Sequence, residues 1–87
     1  MYRIQLIPAA VRQLKKVPRQ DQRRIRDAID QLAMDPRPPG AKTLSGAENQ
    51  WRVRVGDYRV IYQVHDDRLV VLVIRLGHRK DVYRGDG

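Results

Sequence analysis

Between Trp51 and Val64 the chain reads WRVRVGDYRVIYQV. Two runs of alternating apolar and polar residues flank a Gly-Asp pair, and that pattern admits little besides an antiparallel hairpin. Gly56 occupies the position at which a type II′ turn needs a positive φ. With Gly56 and Asp57 as the turn, Val55 pairs with Tyr58, Val53 with Val60 and Trp51 with Tyr62. Strand side chains alternate, so these residues share one face. The opposite face then carries Arg54 directly across from Arg59, with Arg52 two residues along. Like charges in direct cross-strand opposition cost stability. A lone arginine on a solvent face needs no explanation beyond solubility. A facing set is unfavourable unless an anion sits against it.

The rest of the chain builds around that hairpin. YRIQLI (2–7) alternates and is aliphatic, which predicts a strand. Pro8 suits the first turn of a helix, with Ala10, Val11, Leu14 and Val17 as its apolar side, and Pro18 breaks the pattern. A second helix is expected from Arg19 to Met34, carrying Ile25, Ala28, Ile29, Leu32 and Ala33 as a stripe. DPRPPG (35–40) excludes helix and central strand. It leads, as a stiff loop, to a short strand near Lys42–Leu44. Asp66-Asp67 reads as a second turn. RLVVLVIRL (68–76), almost continuously apolar, reads as a central strand ended by Gly77. That turn would pair Val60 with Val73 and Arg59 with Ile74. The order predicts a single α+β domain over 1–87, with two N-terminal helices packed on one face of a mostly antiparallel, four- to five-stranded sheet.

Charge narrows the class of partner. Eighteen Lys and Arg against ten Asp and Glu give a net +8 in 87 residues. A small domain with that excess implies a polyanion: nucleic acid, an acidic protein or an anionic membrane. The lean towards arginine favours forked recognition of phosphate or carboxylate. The absence of cysteine excludes disulfides and thiolate metal sites and suits a reducing cytoplasm. No apolar run is long enough to span a bilayer, and the N-terminal segment is too interrupted by charge for a signal peptide. There is no His/Asp/Glu cluster of metal-ligand spacing and no G-x-x-x-x-G-K phosphate cradle. No metal or cofactor is expected.

Beyond the hairpin, GHRKDVY (77–83) is expected to leave the sheet beside Arg54 and Arg59, bringing His78, Arg79, Lys80 and Tyr83 to the same open face. A phosphodiester passing through a pentacoordinate state gains negative charge on its oxygens. Guanidinium groups aimed at that charge stabilise it more than they stabilise the substrate. RNA supplies its own nucleophile, the 2′-hydroxyl, so cleavage needs orientation, charge stabilisation, a base and an acid. Arginine is a poor base. His78 titrates in the useful range and is the candidate for moving protons; Tyr83 can donate a proton or stack on a base. His65 lies at the far end of the sheet and receives no role. Tyr58, Tyr62 and Trp51 fall on the inner face and are read as core. Lys42, just before the sheet, is within reach of a substrate phosphate. Lys15, Lys16, Arg19, Arg23, Arg24 and Arg26 lie on helix faces. They are either simply solvated or a non-specific grip on a larger polyanion through phosphate contacts.

The segments WRVRVGDYRVIYQV, VVLVIRLGHRKDVY and LKKVPRQDQRRIRDAI resemble the RelE/ParE superfamily of toxin–antitoxin toxins, over almost the whole chain. The resemblance implies a RelE-like fold. For the RelE branch it implies a ribosome-dependent endoribonuclease that cuts mRNA in the decoding site, leaving a 2′,3′-cyclic phosphate and a 5′-hydroxyl. The ParE branch instead inhibits DNA gyrase and is not a nuclease, and it stands as the alternative. By resemblance, Arg59 matches a transition-state arginine, Arg79 the arginine after the last strand, Tyr83 a stacking tyrosine and Lys42 a basic mRNA contact. Arg52 and Arg54 stand where RelE toxins commonly carry lysines, so His78 is nominated in place of a lysine base. Few residues follow Tyr83, and no C-terminal catalytic extension is expected. The implied partners are the ribosome, mRNA and an acidic RelB-like antitoxin that wraps the toxin, with a heterotetramer as one such assembly; no membrane is implied. Val70, Leu72, Ile74 and Leu76 are expected on the arginine face, as an apolar strip for the antitoxin.

Overall fold

A computed structural model describes residues 1–44 and 49–78. Five strands and two helices follow in the order β1 (Arg3–Leu6), α1 (Pro8–Lys15), α2 (Arg19–Gln31), β2 (Lys42–Thr43), β3 (Gln50–Val55), β4 (Tyr58–His65) and β5 (Val70–His78). The sheet order is β1-β5-β4-β3-β2. β1 runs parallel to β5, and the other neighbouring pairs are antiparallel. This is the expected α+β architecture.

Each helix is set by its sequence. Pro8 opens α1, where its missing N–H is no loss. Ala10, Leu14 and Val17 turn inward and are buried. Pro18 separates the helices by capping α2. From α2, Ile25 and Ile29 descend into the core, followed by Leu32 just beyond its end. Against them the sheet presents Val60, Tyr62, Val64, Val71, Val73 and Leu76, with Trp51, Val53, Val55 and Tyr58 packed around the edge. Fully burying such a side chain contributes roughly 1.5–3 kcal/mol, so this one layer holds the helices to the sheet.

The β3–β4 hairpin has the expected register: Val55 faces Tyr58, Val53 faces Val60, and Trp51 faces Tyr62. Gly56 has φ +60, as a type II′ turn requires. A Cβ at Gly56 would meet the Arg24 guanidinium at 3.4 Å, an ordinary contact, so its cost comes from the backbone. Gly56→Ala should lower stability by about 1–2 kcal/mol, read from denaturant unfolding. Unchanged stability would contradict the turn.

The stiff loop before β2 is pinned from two sides. Tyr62 Oη donates to the Pro36 carbonyl at 2.7 Å. Arg37 pairs with Asp66 at 2.8 Å and lies over the Trp51 ring, 5.4 Å from its centroid. Gly40, at φ +93, then turns the chain into β2.

The β4–β5 pairing departs from expectation in two steps. Asp66–Asp67 is not a two-residue turn. His65 pairs with Val70, leaving four residues between them, and Leu69 adopts φ +54. The register moves by two, which puts Leu72 opposite Gln63 instead of Ile61 and leaves it on the outer face. A bulge then moves it by one more. Tyr62 pairs with Val73 and Ile61 with Arg75, so Ile74 is the extra residue. One added residue exchanges the faces of everything beyond it. Arg59 therefore faces Gly77 rather than Ile74, and Val60 faces Leu76 rather than Val73. Leu76 enters the core at 1% exposure instead of joining the outer apolar strip. β5 also continues through Gly77 to His78.

Candidate functional site

Alternation along β3 and β4 sends Arg52, Arg54 and Arg59 to the face away from the helices. Arg54 and Arg59 are direct cross-strand partners, and Lys42 pairs with Arg52 from the edge strand β2. A cavity of about 270 Å³ opens there, lined by Gly40, Lys42, Arg52, Arg54 and Arg59. Its described lining is therefore cations and one glycine. Arg54 is exposed and donates from Nε to the Gly56 carbonyl at 3.1 Å. Arg59 is only 8% exposed, with Nη1 3.5 Å from the Tyr58 carbonyl oxygen. Two guanidinium groups thus stand side by side at this cavity, one on an exposed residue and one on a mostly buried one.

His78 does not join this cavity. Its cross-strand partner is Tyr58, whose ring packs against the core side. The two rings meet edge-on, with centroids 5.9 Å apart and planes at 80°. Together with Asp21, Arg24, Val55, Gly56 and Asp57 they line a separate cavity of about 150 Å³ on the helix side of the sheet. The expectation that the imidazole converges on the arginines is corrected: the bulge at Ile74 reverses the parity of β5, and residue 78 emerges on the other face. Burial, with the nearby Asp21 and Asp57, raises the Tyr58 hydroxyl above the usual tyrosine range. Burial pushes Tyr62 up to about 12, which keeps it a proton donor to Pro36.

Arg79, Lys80 and Tyr83 lie outside the described residues. Lys15, Lys16, Arg19 and Arg23 are exposed on the helices. Arg19, Arg23 and Arg26 share the outer side of α2 with Asp27 and Asp30. The helices cover the opposite face of the sheet, so these cations do not extend the arginine cavity.

Two contributors escape the sequence reading. Gly40 lines the cavity from the stiff loop. Arg75 is carried to the arginine face by the bulge, paired with Ile61. Its signal was a single charge within VVLVIRL, which a bulge-free register would have turned inwards.

Residues 4–83 match the family model described as ParE toxin of type II toxin-antitoxin system, parDE. The chain belongs to the RelE/ParE superfamily of toxins. This toxin is 27% identical over 84 residues to Toxin RelG of Mycobacterium tuberculosis, covering 95% of this chain and 97% of that one. Among solved structures it is similar to the archaeal RelE–RelB complex from Pyrococcus horikoshii OT3. There the identity is 31% and the TM-score 0.79, covering 90% of this toxin and 94% of the other chain. The RelBE2 toxin–antitoxin complex of Mycobacterium tuberculosis aligns with 26% identity and a TM-score of 0.79, covering 90% and 98%. The RelE-like fold expected for the toxin is the fold it has.

Proposed function

We propose that this toxin is an endoribonuclease that cleaves ribosome-bound mRNA. The observation that carries the reading is the convergence of Lys42, Arg52, Arg54 and Arg59, from three strands, on one cavity. In the reaction the substrate's 2′-oxygen forms a bond to phosphorus and the bond from phosphorus to the 5′-oxygen breaks. The 2′-hydroxyl gives up its proton, the leaving oxygen gains one, and the products are a 2′,3′-cyclic phosphate and a 5′-hydroxyl. Arg54 and Arg59 hold the non-bridging oxygens as their charge grows. Arg52 and Lys42 position flanking phosphates. Arg79 and Tyr83 keep the roles that family resemblance implies. His78, facing the helices, is not assigned proton transfer at this cavity. The site therefore works chiefly by charge stabilisation, and a substrate bent into in-line geometry by the ribosome gains most from it.

Relatives solved as RelE–RelB complexes support a RelB-like antitoxin as partner. An acidic, amphipathic segment would suit both the cations and the half-buried Val70 and Leu72 on the same side of β5.

The test is to translate a reporter message with purified toxin and map its ends. Cuts within ribosome-bound message that leave cyclic phosphates are the expected result. The match to the ParE family model favours gyrase as the second target. Intact message together with gyrase-dependent double-strand DNA breaks would replace the proposed activity with that one.

A further inference from the structure

We propose that Arg75 is a further RNA-binding residue, and that the substrate strand lies across the β-strands rather than along them. The inference rests on the endoribonuclease reading and extends its site beyond the cavity.

The register places one lateral row on the outer face: Lys42 beside Arg52, Arg52 beside Ile61, and Ile61 beside Arg75. The row crosses β2, β3, β4 and β5. Neighbouring strands lie about 4.8 Å apart, so its backbone ends are separated by about 14 Å. One phosphate cannot bridge that span, whereas consecutive phosphates of an extended strand can. The next row is Arg54, Arg59 and Gly77. Gly77 adds no side chain beside Arg59, and Arg75, two residues before Gly77, is the diagonal neighbour of Arg59. Long side chains reach each other at that offset. Arg59 is thus flanked by Arg54 on one side and by Arg75 diagonally on the other.

The bulge makes this arrangement. Without the extra residue at Ile74, Arg75 would point towards the helices and Leu76 away from them. With it, Leu76 is buried and a cation is added to the arginine face. Bulges concentrate where a side chain must be re-aimed beside a functional site. A row of cations spaced across several strands matches the repeating charge of a nucleic-acid backbone.

The experiment measures binding of a uniform single-stranded RNA oligonucleotide by fluorescence anisotropy across a salt series, alongside cleavage of ribosome-bound message. Arg75→Gln should weaken RNA binding about fivefold and lower the slope of log affinity against log salt by about 0.7, the value of one lost phosphate contact on a single strand. In cleavage, KM should rise while kcat stays within about twofold. Arg75→Lys should restore most of the slope. Arg68→Gln removes an exposed cation from the β4–β5 turn, outside the row, and should match wild type. If Arg75→Gln binds as wild type does, or Arg68→Gln lowers the slope equally, Arg75 has no specific role and the proposal is overturned while the nuclease reading stands. A wild-type toxin that neither binds nor cuts RNA would overturn both.

Discussion

Under the proposed nuclease activity, Arg59→Ala should lower cleavage of ribosome-bound mRNA by about 10²–10³-fold in kcat, the usual loss when one donor to a developing anion is removed. Arg59 differs from its neighbours in being buried at 8% exposure while facing the cavity. A mostly buried arginine has less freedom to rotate away, so under the proposed activity it should need little reorganisation when charge develops on the phosphate. Ribosome affinity should change by less than about threefold if the exposed cations of the helices supply phosphate contacts elsewhere on the surface, as proposed. Arg59→Lys keeps the charge but loses the fork and should recover only part of the rate. The measurement is single-turnover cleavage at saturating toxin. Wild-type kinetics for Arg59→Ala would remove this residue from the chemistry.

Leu76→Ala should cost about 2–5 kcal/mol, the range for truncating a buried leucine. In a domain of this size that lowers the melting temperature by about 10 °C or more. Leu76 is 1% exposed, opposite Val60, beneath the helices. Ile74, the residue added by the bulge, is only half-buried, and Ile74→Ala should cost clearly less. The pair tests the parity of β5 directly. A larger loss at Ile74 than at Leu76 would mean the strand runs without its bulge.

What could be read from the sequence follows from how local each determinant is. The β3–β4 hairpin was legible because a two-residue turn with glycine at its first position leaves one register. From that register came the pairing of Arg54 with Arg59 and the inner placement of Tyr62. Lys42 was legible as a candidate neighbour of the arginines from the short strand expected after the proline-rich loop and from the family resemblance. The β4–β5 connection was not. Asp66–Asp67 looks like a tight turn, yet the residue in the left-handed region is Leu69, which carries no turn signal of its own. The bulge is set by tertiary fit: Leu76 gains burial and Arg75 escapes it. Nothing within the window around Ile74 states that trade except one charge in an apolar run. The expectation for His78 failed for the same reason, since the face of a residue beyond a bulge depends on whether the bulge is counted.

β1 and β5 have a consequence for how the molecule is made. Arg3 pairs with Val70 and Leu6 with Val73, near opposite ends of the 87 residues. β5, the last strand among the described residues, sits between β1 and β4 in the sheet. While it remains inside the exit tunnel, β1 has no strand to pair with and the helices lack half of the surface they cover. Such distant pairing is slow to form. The nascent toxin should therefore stay unfolded until β5 has emerged, and a binding partner already present would meet an open chain before it met a folded one.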